Sequence, residues 1–285
     1  MLAEIHTIMY YTAKTTVMTN VFYEYYANIY GERWPGLWES LLLPAVTVPY
    51  STGLSEPYYL DSASILASLS LRLPLSGAED TGHSAFTDNV PLILDACAAP
   101  GGKSLIIAAR MNASSLLLSN ELSNERRRRL SDVLDKHLSA DIRSRVKVTG
   151  FNAAKAAGRK SEQKRFAAIL LDAPCSSERH VMQNKTALEK WTPARPRFLA
   201  QRQWALLSAA FLMLADGGSL VYSTCSLNQE ENDGVAGRLL KKYAGICIPD
   251  KPDFPEGEET EYGRIILPDT AKGAGPMYVA RFGKS

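Results

Sequence analysis

From Pro91 onward, short apolar runs rich in Leu, Ile and Val alternate with longer amphipathic runs. That alternation is the pattern of an α/β chain, a mostly parallel sheet with helices on both faces. Strands are expected at Leu92–Ala96, Ser115–Glu121, Val146–Thr149, Ala167–Asp172, Ser219–Ser223 and Met277–Phe282. Helices are expected at Lys103–Met111, Asn124–Leu138, Pro196–Ala215 and Glu230–Tyr243. The third helix is the best marked. Pro196 suits a first turn, Gly217 and Gly218 read as a stop signal, and Phe198, Leu199, Leu206, Phe211 and Leu214 recur at helical spacing.

The preceding chain reads differently. Val21 to Leu43 has an aromatic-rich helical pattern, followed by breaks at Pro44, Pro49 and Pro57. Ser76 to Asn89 is polar and rich in Gly and Ser, hence a linker. The division is therefore a small N-terminal helical region with its linker, 1–88, and a larger domain, 89–285. Tyr23, Tyr25, Tyr26, Tyr30 and Trp34 can stack on bases, but an aromatic helix more often belongs to a core. At 285 residues and 46% hydrophobic content the chain can bury one substantial core. Its four cysteines, Cys97, Cys175, Cys225 and Cys247, offer neither a disulfide framework nor zinc spacing, so no metal and a reducing compartment are expected. The start MLAEIHTIMYYTAK shows no secretory or mitochondrial leader, and no stretch approaches the ~20 apolar residues of a membrane span. A cytoplasmic protein without membrane contact is expected.

The run LILDACAAPGGKS, Leu92 to Ser104, is a buried strand ending in an acid, then a loop of small residues, then a helix. In a doubly wound sheet ligands sit at the carboxyl ends of the strands, so a nucleotide-like cofactor would approach the backbone here. Gly101 and Gly102 permit that approach. The loop has the spacing of neither GxxxxGK[ST] nor GxGxxG, which disfavours ATP and NAD. The second strand ends in SNE, where Glu121 can accept from the two hydroxyls of a ribose, although a surface or capping acid would look the same.

Two later strands each end in a cysteine-bearing loop, ILLDAPCSS (Ile169 to Ser177) and LVYSTCSLNQEEN (Leu220 to Asn232). A lone cysteine is usually an inert buried thiol, and Cys247, between Ile246 and Ile248, reads that way. Two cysteines at the ends of neighbouring strands point instead to a shared site.

DACAAPGGKS, LDAPCSS and YSTCSLNQEEN, in that order and spacing and with the ending GPMYVARF, resemble the Fmu/Sun-type RNA cytosine-5 methyltransferases. The resemblance spans Pro91 to Phe282, about two thirds of the chain. DAPCSSERH and the upstream YGERWP look most like the branch containing mitochondrial rRNA and tRNA enzymes. The resemblance implies a Rossmann-like class I fold dependent on S-adenosylmethionine, with a methyltransferase catalytic domain over 89–285. It implies that Cys97, Ala98, Ala99, Pro100, Gly101, Gly102 and Lys103 wrap the cofactor, that Glu121 holds its ribose with Arg126 close by, and that Asn152 lies near the adenine. The family usually carries Asp at that last position; the Asn oxygen still accepts from an amino group but brings no charge. Asp172 is expected beside both cofactor and base.

The chemistry asks for these residue types. Carbon 5 of cytosine is a poor nucleophile until a thiolate adds to carbon 6 and makes it enamine-like. Cys225 is assigned that addition. A carboxyl group at the base edge eases it by engaging ring nitrogen 3, which suits Asp172. The resemblance gives Cys175 a part in the final release. DNA cytosine-5 enzymes instead attack with the cysteine of the Pro-Cys loop, here Cys175, but the chain has no large recognition insertion and its cofactor loop differs from theirs. Enzymes that methylate amino groups carry Asp-Pro-Pro-aromatic where this chain has LDAPCSS. A non-catalytic RNA-binding assembly factor of the same fold is the rival of another class.

A base reaches such a thiolate only when unstacked, so the substrate is expected to be single-stranded RNA or a loop or bulge, rRNA in preference to tRNA. Net charge is only +2, but eight Lys or Arg face one acid between Arg143 and Arg165, and Arg179 to Arg202 is also basic. Those runs can grip a phosphate backbone, unless they are simply solvated. Asp250, Asp253, Glu256, Glu258, Glu259 and Glu261 form an acidic counterweight. Recognition through a protein or ribonucleoprotein partner and a monomeric state are the remaining expectations.

Overall fold

The computed structural model describes residues 13–74 and 90–285, with the backbone alone for 13–20. The expected linker, apart from its flanks, lies outside the described residues. Two helices come first, α1 (Ala13–Tyr30) and α2 (Trp34–Leu42), then an antiparallel ribbon of β1 (Thr47–Tyr50) and β2 (Tyr58–Asp61), then α3 (Ser62–Leu69). The main sheet is built from β3 (Leu92–Asp95), β4 (Leu116–Asn120), β5 (Val146–Thr149), β6 (Phe166–Asp172), β7 (Leu214–Thr224), β8 (Cys247–Pro249), β9 (Glu258–Glu259), β10 (Arg264–Ile266) and β11 (Met277–Lys284). Between these strands run α4 (Gly102–Arg110), α5 (Asn124–His137), α6 (Ala140–Ser144), α7 (Ala153–Ala156), α8 (Glu178–Gln183), α9 (Lys185–Glu189), α10 (Ala194–Met213) and α11 (Asp233–Lys242).

The strand order is β5-β4-β3-β6-β7-β11-β10-β9, with β8 also paired to β11. Strands β3 to β7 are parallel and β11 returns antiparallel to β7. This is a Rossmann-like fold, with an N-terminal helical segment. The chain runs one way from β3 through β4 to β5 and the other way through β6 and β7, so the switch point, where open α/β sheets take their ligands, lies between β3 and β6.

Alternating strand residues feed two cores. Leu94, Leu118, Leu171 and Tyr222 pack with α7, α10 and α11 on one face. Their neighbours Ile93, Leu117, Leu170 and Val221 pack with α3, α4 and α5 on the other. Because strand side chains alternate, a one-residue register slip would exchange the two sets.

The N-terminal aromatics make a third core. Phe22, Tyr26, Trp34, Leu37 and Leu41 pack with Val181, Met182, Trp191, Leu227 and Leu267. Tyr26 and Trp34 have no exposed surface and stack with ring centres 5.4 Å apart, so these two rings are core rather than a platform for bases. Arg33 adds ion pairs to Glu258 and Asp269, both at 2.6 Å. Part of the acidic counterweight is paired within the fold: Asp250 and Asp253 hold the buried Arg281 at 2.8 and 3.1 Å.

All six expected strands and four expected helices are present, β5 at its expected bounds and the others with one or both ends shifted. The stop before β7 comes earlier than the glycine pair suggested. Helix α10 ends at Met213, and Gly217, with φ of +76°, and Gly218 fall within β7. Among the described residues no helix is long and apolar enough to cross a membrane, and no group of three or more His, Cys, Asp or Glu could hold a metal ion.

Candidate active site

The two signature loops leave neighbouring strands at the switch point. After β3 the chain passes through Cys97–Gly101 and enters α4. Gly101 has φ of +124°, a region that L side chains rarely adopt, and a Cβ there would sit 3.0 Å from Val133 Cγ1. A Cβ on Gly102 would lie 2.8 Å from Tyr58 Cε1. The glycines are thus required by α5 on one side and by the β2 tyrosine on the other. A cleft remains, lined by Tyr58, Ser64, Asp95, Cys97–Pro100, Gly102, Lys103 and Asp172.

Asp95 closes the floor of that cleft. It is fully buried, one carboxyl oxygen accepts from Ser104 Oγ at 2.6 Å, and the other has no hydrogen-bond partner among the described residues. Burial raises its carboxyl to about 7, against the hydrogen bond from Ser104. Glu121, also buried, accepts from the Ser123 backbone N–H at 2.9 Å and pairs with Arg126 at 3.1 Å. Arg126 also donates to the Ala99 carbonyl at 2.8 Å, so one guanidinium joins the first loop to the end of β4. Asn152 caps α7, its side-chain oxygen accepting from the Ala154 N–H at 3.1 Å.

At the end of β6, Asp172 pairs with Lys103 at 2.8 Å and accepts from Ser223 Oγ at 2.8 Å. Burial works against the Lys103 ammonium, but Asp172, Cys225 and Asp95 together more than offset it and its basicity rises. The negative charge of a Cys225 thiolate acts on Lys103 in the same direction. Parallel pairing sets Asp172 opposite Ser223, two residues before Cys225, so the acid and the second cysteine loop share one end of the sheet.

The Cys175 and Cys225 sulfurs lie 2.9 Å apart. The Ser177 hydroxyl is 3.1 Å from Cys225 Sγ and 3.3 Å from Cys175 Sγ. Ser177 reaches both because its φ is +53°, in the left-handed region, a costly backbone for a serine and one that clusters at functional sites. The Cys225 neighbour and burial together raise the Cys175 thiol well above its usual range, so Cys175 is the sulfur that keeps its proton. Burial alone lifts Cys247 to about 12, in keeping with a packing role on β8.

The site therefore brings together Cys97–Lys103, Asp172, Cys175 and Cys225, with Glu121 and Arg126 on the next strand's loop. Sequence reasoning left out Tyr58, Ser64, Ser177, Ser223 and the acid of Asp95 itself. The Asp95 and Ser177 signals stood in the motifs, as the strand-ending acid and the residue after CS. Tyr58 and Ser64 come from the N-terminal segment and carry no local mark.

Residues 86–283 match the family described as 16S rRNA methyltransferase RsmB/F. The chain belongs to that family. Within the RsmB/F relatives, a ribosomal RNA small subunit methyltransferase F of Escherichia coli is 42% identical over 168 residues, 59% of this chain and 33% of that protein. Its Shigella boydii counterpart is 41% identical over 201 residues, 70% of this chain and 37% of that protein. The chain thus spans about a third of the length of the curated relatives it matches. Two solved structures share the fold. A methyltransferase homolog protein from Pyrococcus horikoshii has a TM-score of 0.67 at 20% identity, covering 92% of this chain and 94% of that one. NSun6 from Pyrococcus horikoshii, solved with SFG, has a TM-score of 0.64 at 23% identity, covering 85% of this chain and 56% of that one.

Proposed function

We propose that this RsmB/F-family chain transfers a methyl group from S-adenosylmethionine to carbon 5 of a cytosine in RNA, rRNA in preference to tRNA, through a covalent bond between Cys225 and carbon 6. The observation that carries this reading is the 2.9 Å sulfur pair beside the Asp172–Lys103 pair, at the end of the sheet that holds the cleft. The Escherichia coli relative's name supports ribosomal RNA as the substrate class.

The cleft fits the cofactor on its own chemistry. The glycine loop admits close backbone approach, the partnerless oxygen of buried Asp95 seeks a donor, and the Glu121 carboxylate stands ready for ribose hydroxyls. Cys97–Lys103, Glu121, Arg126 and Asn152 would hold it, and when bound it supplies an electrophilic methyl group on a sulfonium. The chain's own residues do the rest. The Cys225 thiolate adds to carbon 6, with the Ser177 hydroxyl and the Cys175 thiol within hydrogen-bond reach of its sulfur. Asp172 orients the base edge and Lys103 carries the proton beside it. After methyl transfer a water takes the carbon 5 proton, the C–H electron pair restores the ring double bond and the carbon 6–sulfur bond breaks to return Cys225 as a thiolate, a release that Cys175 assists. The 1–88 region and the basic runs are assigned to RNA contact, with a partner completing recognition.

Tritium transfer from labelled cofactor into total RNA tests this reading. Incorporation that disappears in Cys225→Ala supports it, and none with the unaltered chain favours the binding-factor alternative. Bisulfite sequencing of rRNA and tRNA with and without the gene then identifies the RNA.

A further inference from the structure

Directly behind the two cysteines lie two carboxyl groups that the reaction does not use. Glu178, the first residue of α8, and Glu231, in the turn before α11, both have no exposed surface. No Lys, Arg or His pairs with either among the described residues. They are joined through the serines that follow the cysteines. Ser176 Oγ contacts Glu178 Oε1 and Glu231 Oε1, and Ser226 Oγ lies 3.2 Å from Glu178 Oε1 and 2.9 Å from Glu231 Oε1.

Proton counting limits the charge on this cluster. Each serine hydroxyl has one proton yet lies within hydrogen-bond distance of both carboxyl groups, so neither serine can donate to both. Tyr26 donates a third proton to Glu178 Oε1 at 2.5 Å. The remaining contacts become hydrogen bonds only if a carboxyl group donates. Two buried carboxylates this close without a cation also repel, and one retains its proton as a result.

The outer oxygens cross between the cysteine loops. Glu178, from the Cys175 side, accepts from the Leu227 N–H of the Cys225 side at 3.0 Å. Glu231, from the Cys225 side, accepts from the Ser176 N–H of the Cys175 side at 3.0 Å, and from Gln203 at 2.7 Å.

We propose that Glu178 and Glu231 are positioning residues, a carboxyl pair sharing one proton whose crossed hydrogen bonds fix the spacing of Cys175 and Cys225. The shared proton makes the clamp sensitive to alkali. Burial and then Glu178 raise the Glu231 carboxyl toward neutrality. The other titratable groups facing the pair are Tyr25, Tyr26 and Tyr30 on α1, Tyr222 on β7, Glu230 in the turn and Cys175. Burial, and for Cys175 its Cys225 neighbour, hold those four tyrosines and that thiol above their usual values, so the shared proton leaves before theirs.

The proposal rests on the assignment of the two cysteines to methyl transfer, so the test has arms that do not depend on that reaction. The infrared difference spectrum of the full chain minus Glu231→Gln, in which the buried acid of Asp95 cancels, should show at neutral pH a carboxylic acid carbonyl that is lost on raising the pH, since the Gln amide replaces the shared proton. Diamide, which oxidises two thiols to a disulfide and is itself reduced, reads the cysteine spacing. Glu231→Gln and Glu178→Gln should close the Cys175–Cys225 disulfide within about threefold of the wild-type rate, and Glu231→Ala at least about tenfold more slowly, as for a misplacement near 1 Å. In methyl transfer, wild type should lose roughly tenfold per pH unit above the pair's pKa, and Glu231→Gln should show no such limb. Absence of that difference band, or equal disulfide rates in the Gln and Ala variants, would overturn the proposal. Loss of methyl transfer with both other arms as expected would overturn the functional reading instead.

Discussion

Cys175 and Cys225 lie sulfur to sulfur at 2.9 Å, and their surroundings make them unequal. Cys175 accepts from the Cys225 backbone N–H at 3.3 Å and its thiol is raised by the Cys225 neighbour and by burial, while the Ser177 hydroxyl, within reach of both sulfurs, lies nearer Cys225. A thiol raised in this way holds its proton, which leaves Cys225 as the candidate nucleophile. Cys175→Ala should therefore accumulate a covalent protein–RNA adduct, seen as a labelled band that survives denaturing electrophoresis, and Cys225→Ala should give none. The opposite pattern would exchange the two roles.

This site was legible in the sequence to the extent that its parts sit on regular elements. The β3, β6 and β7 strands end in motifs whose apolar runs and punctuation announce them, so Asp172, Cys175 and Cys225 were found without coordinates. What the sequence could not show were contacts made across long separations. Tyr58 against Gly102, Tyr26 on Glu178 and Arg33 on Glu258 each join segments with no shared period or spacing. Strands β8, β9 and β10 escaped because two or three residues are too short for an alternation to register.

Lys103 and Asp172 form a partly buried pair in which each justifies the charge on the other. Lys103→Met and Asp172→Asn should each lower kcat by about 10²-fold or more, the size expected for a positioned proton-handling group. Because they act as a unit, the double variant should be little worse than either single one. Single-turnover methyl transfer on the two singles and the double closes the cycle, and additive losses would separate the two functions.

Asp95 imposes a pH dependence on stability. Its folded carboxyl, near 7, lies above its usual value of 3.8. Between those values the folded chain binds more protons than the unfolded one, so the contribution is fully present at low pH and is lost as pH rises from about 4 to about 7. The change is on the order of 4 kcal/mol. Asp95→Asn, which still accepts from Ser104, should flatten this slope. Chemical denaturation at pH 4.5 and pH 8 measures it, the variant gaining on wild type at the higher pH.

The N-terminal helices are expected to be part of the stable unit. Trp34, with no exposed surface in the third core, should cost about 3–5 kcal/mol as Trp34→Ala. Tyr26→Phe keeps the ring but removes the donor to Glu178, and should cost about 1–3 kcal/mol. Thermal melts of both variants give the order. A Trp34→Ala chain that melts with wild type would mean that these helices do not contribute to the cooperative core.

The basic run from Arg143 to Arg165 divides into two kinds of charge. Arg143 and Arg145 are committed internally, to Asp135 at 2.6 Å and Asp141 at 3.3 Å, and also to the Val146 and Asn112 carbonyls. Lys147, Lys155 and Lys160 are exposed and make no ion pair among the described residues. Only the second kind is free to neutralise phosphates. Replacing the three lysines by Ala should weaken binding to unrelated single-stranded RNAs alike and reduce the slope of log affinity against log salt by about 2. Arg143→Ala should instead lower the melting temperature and leave that slope unchanged. Salt titrations of binding on both variants decide the matter, and an unaltered slope in the triple lysine variant would move the RNA track to another face.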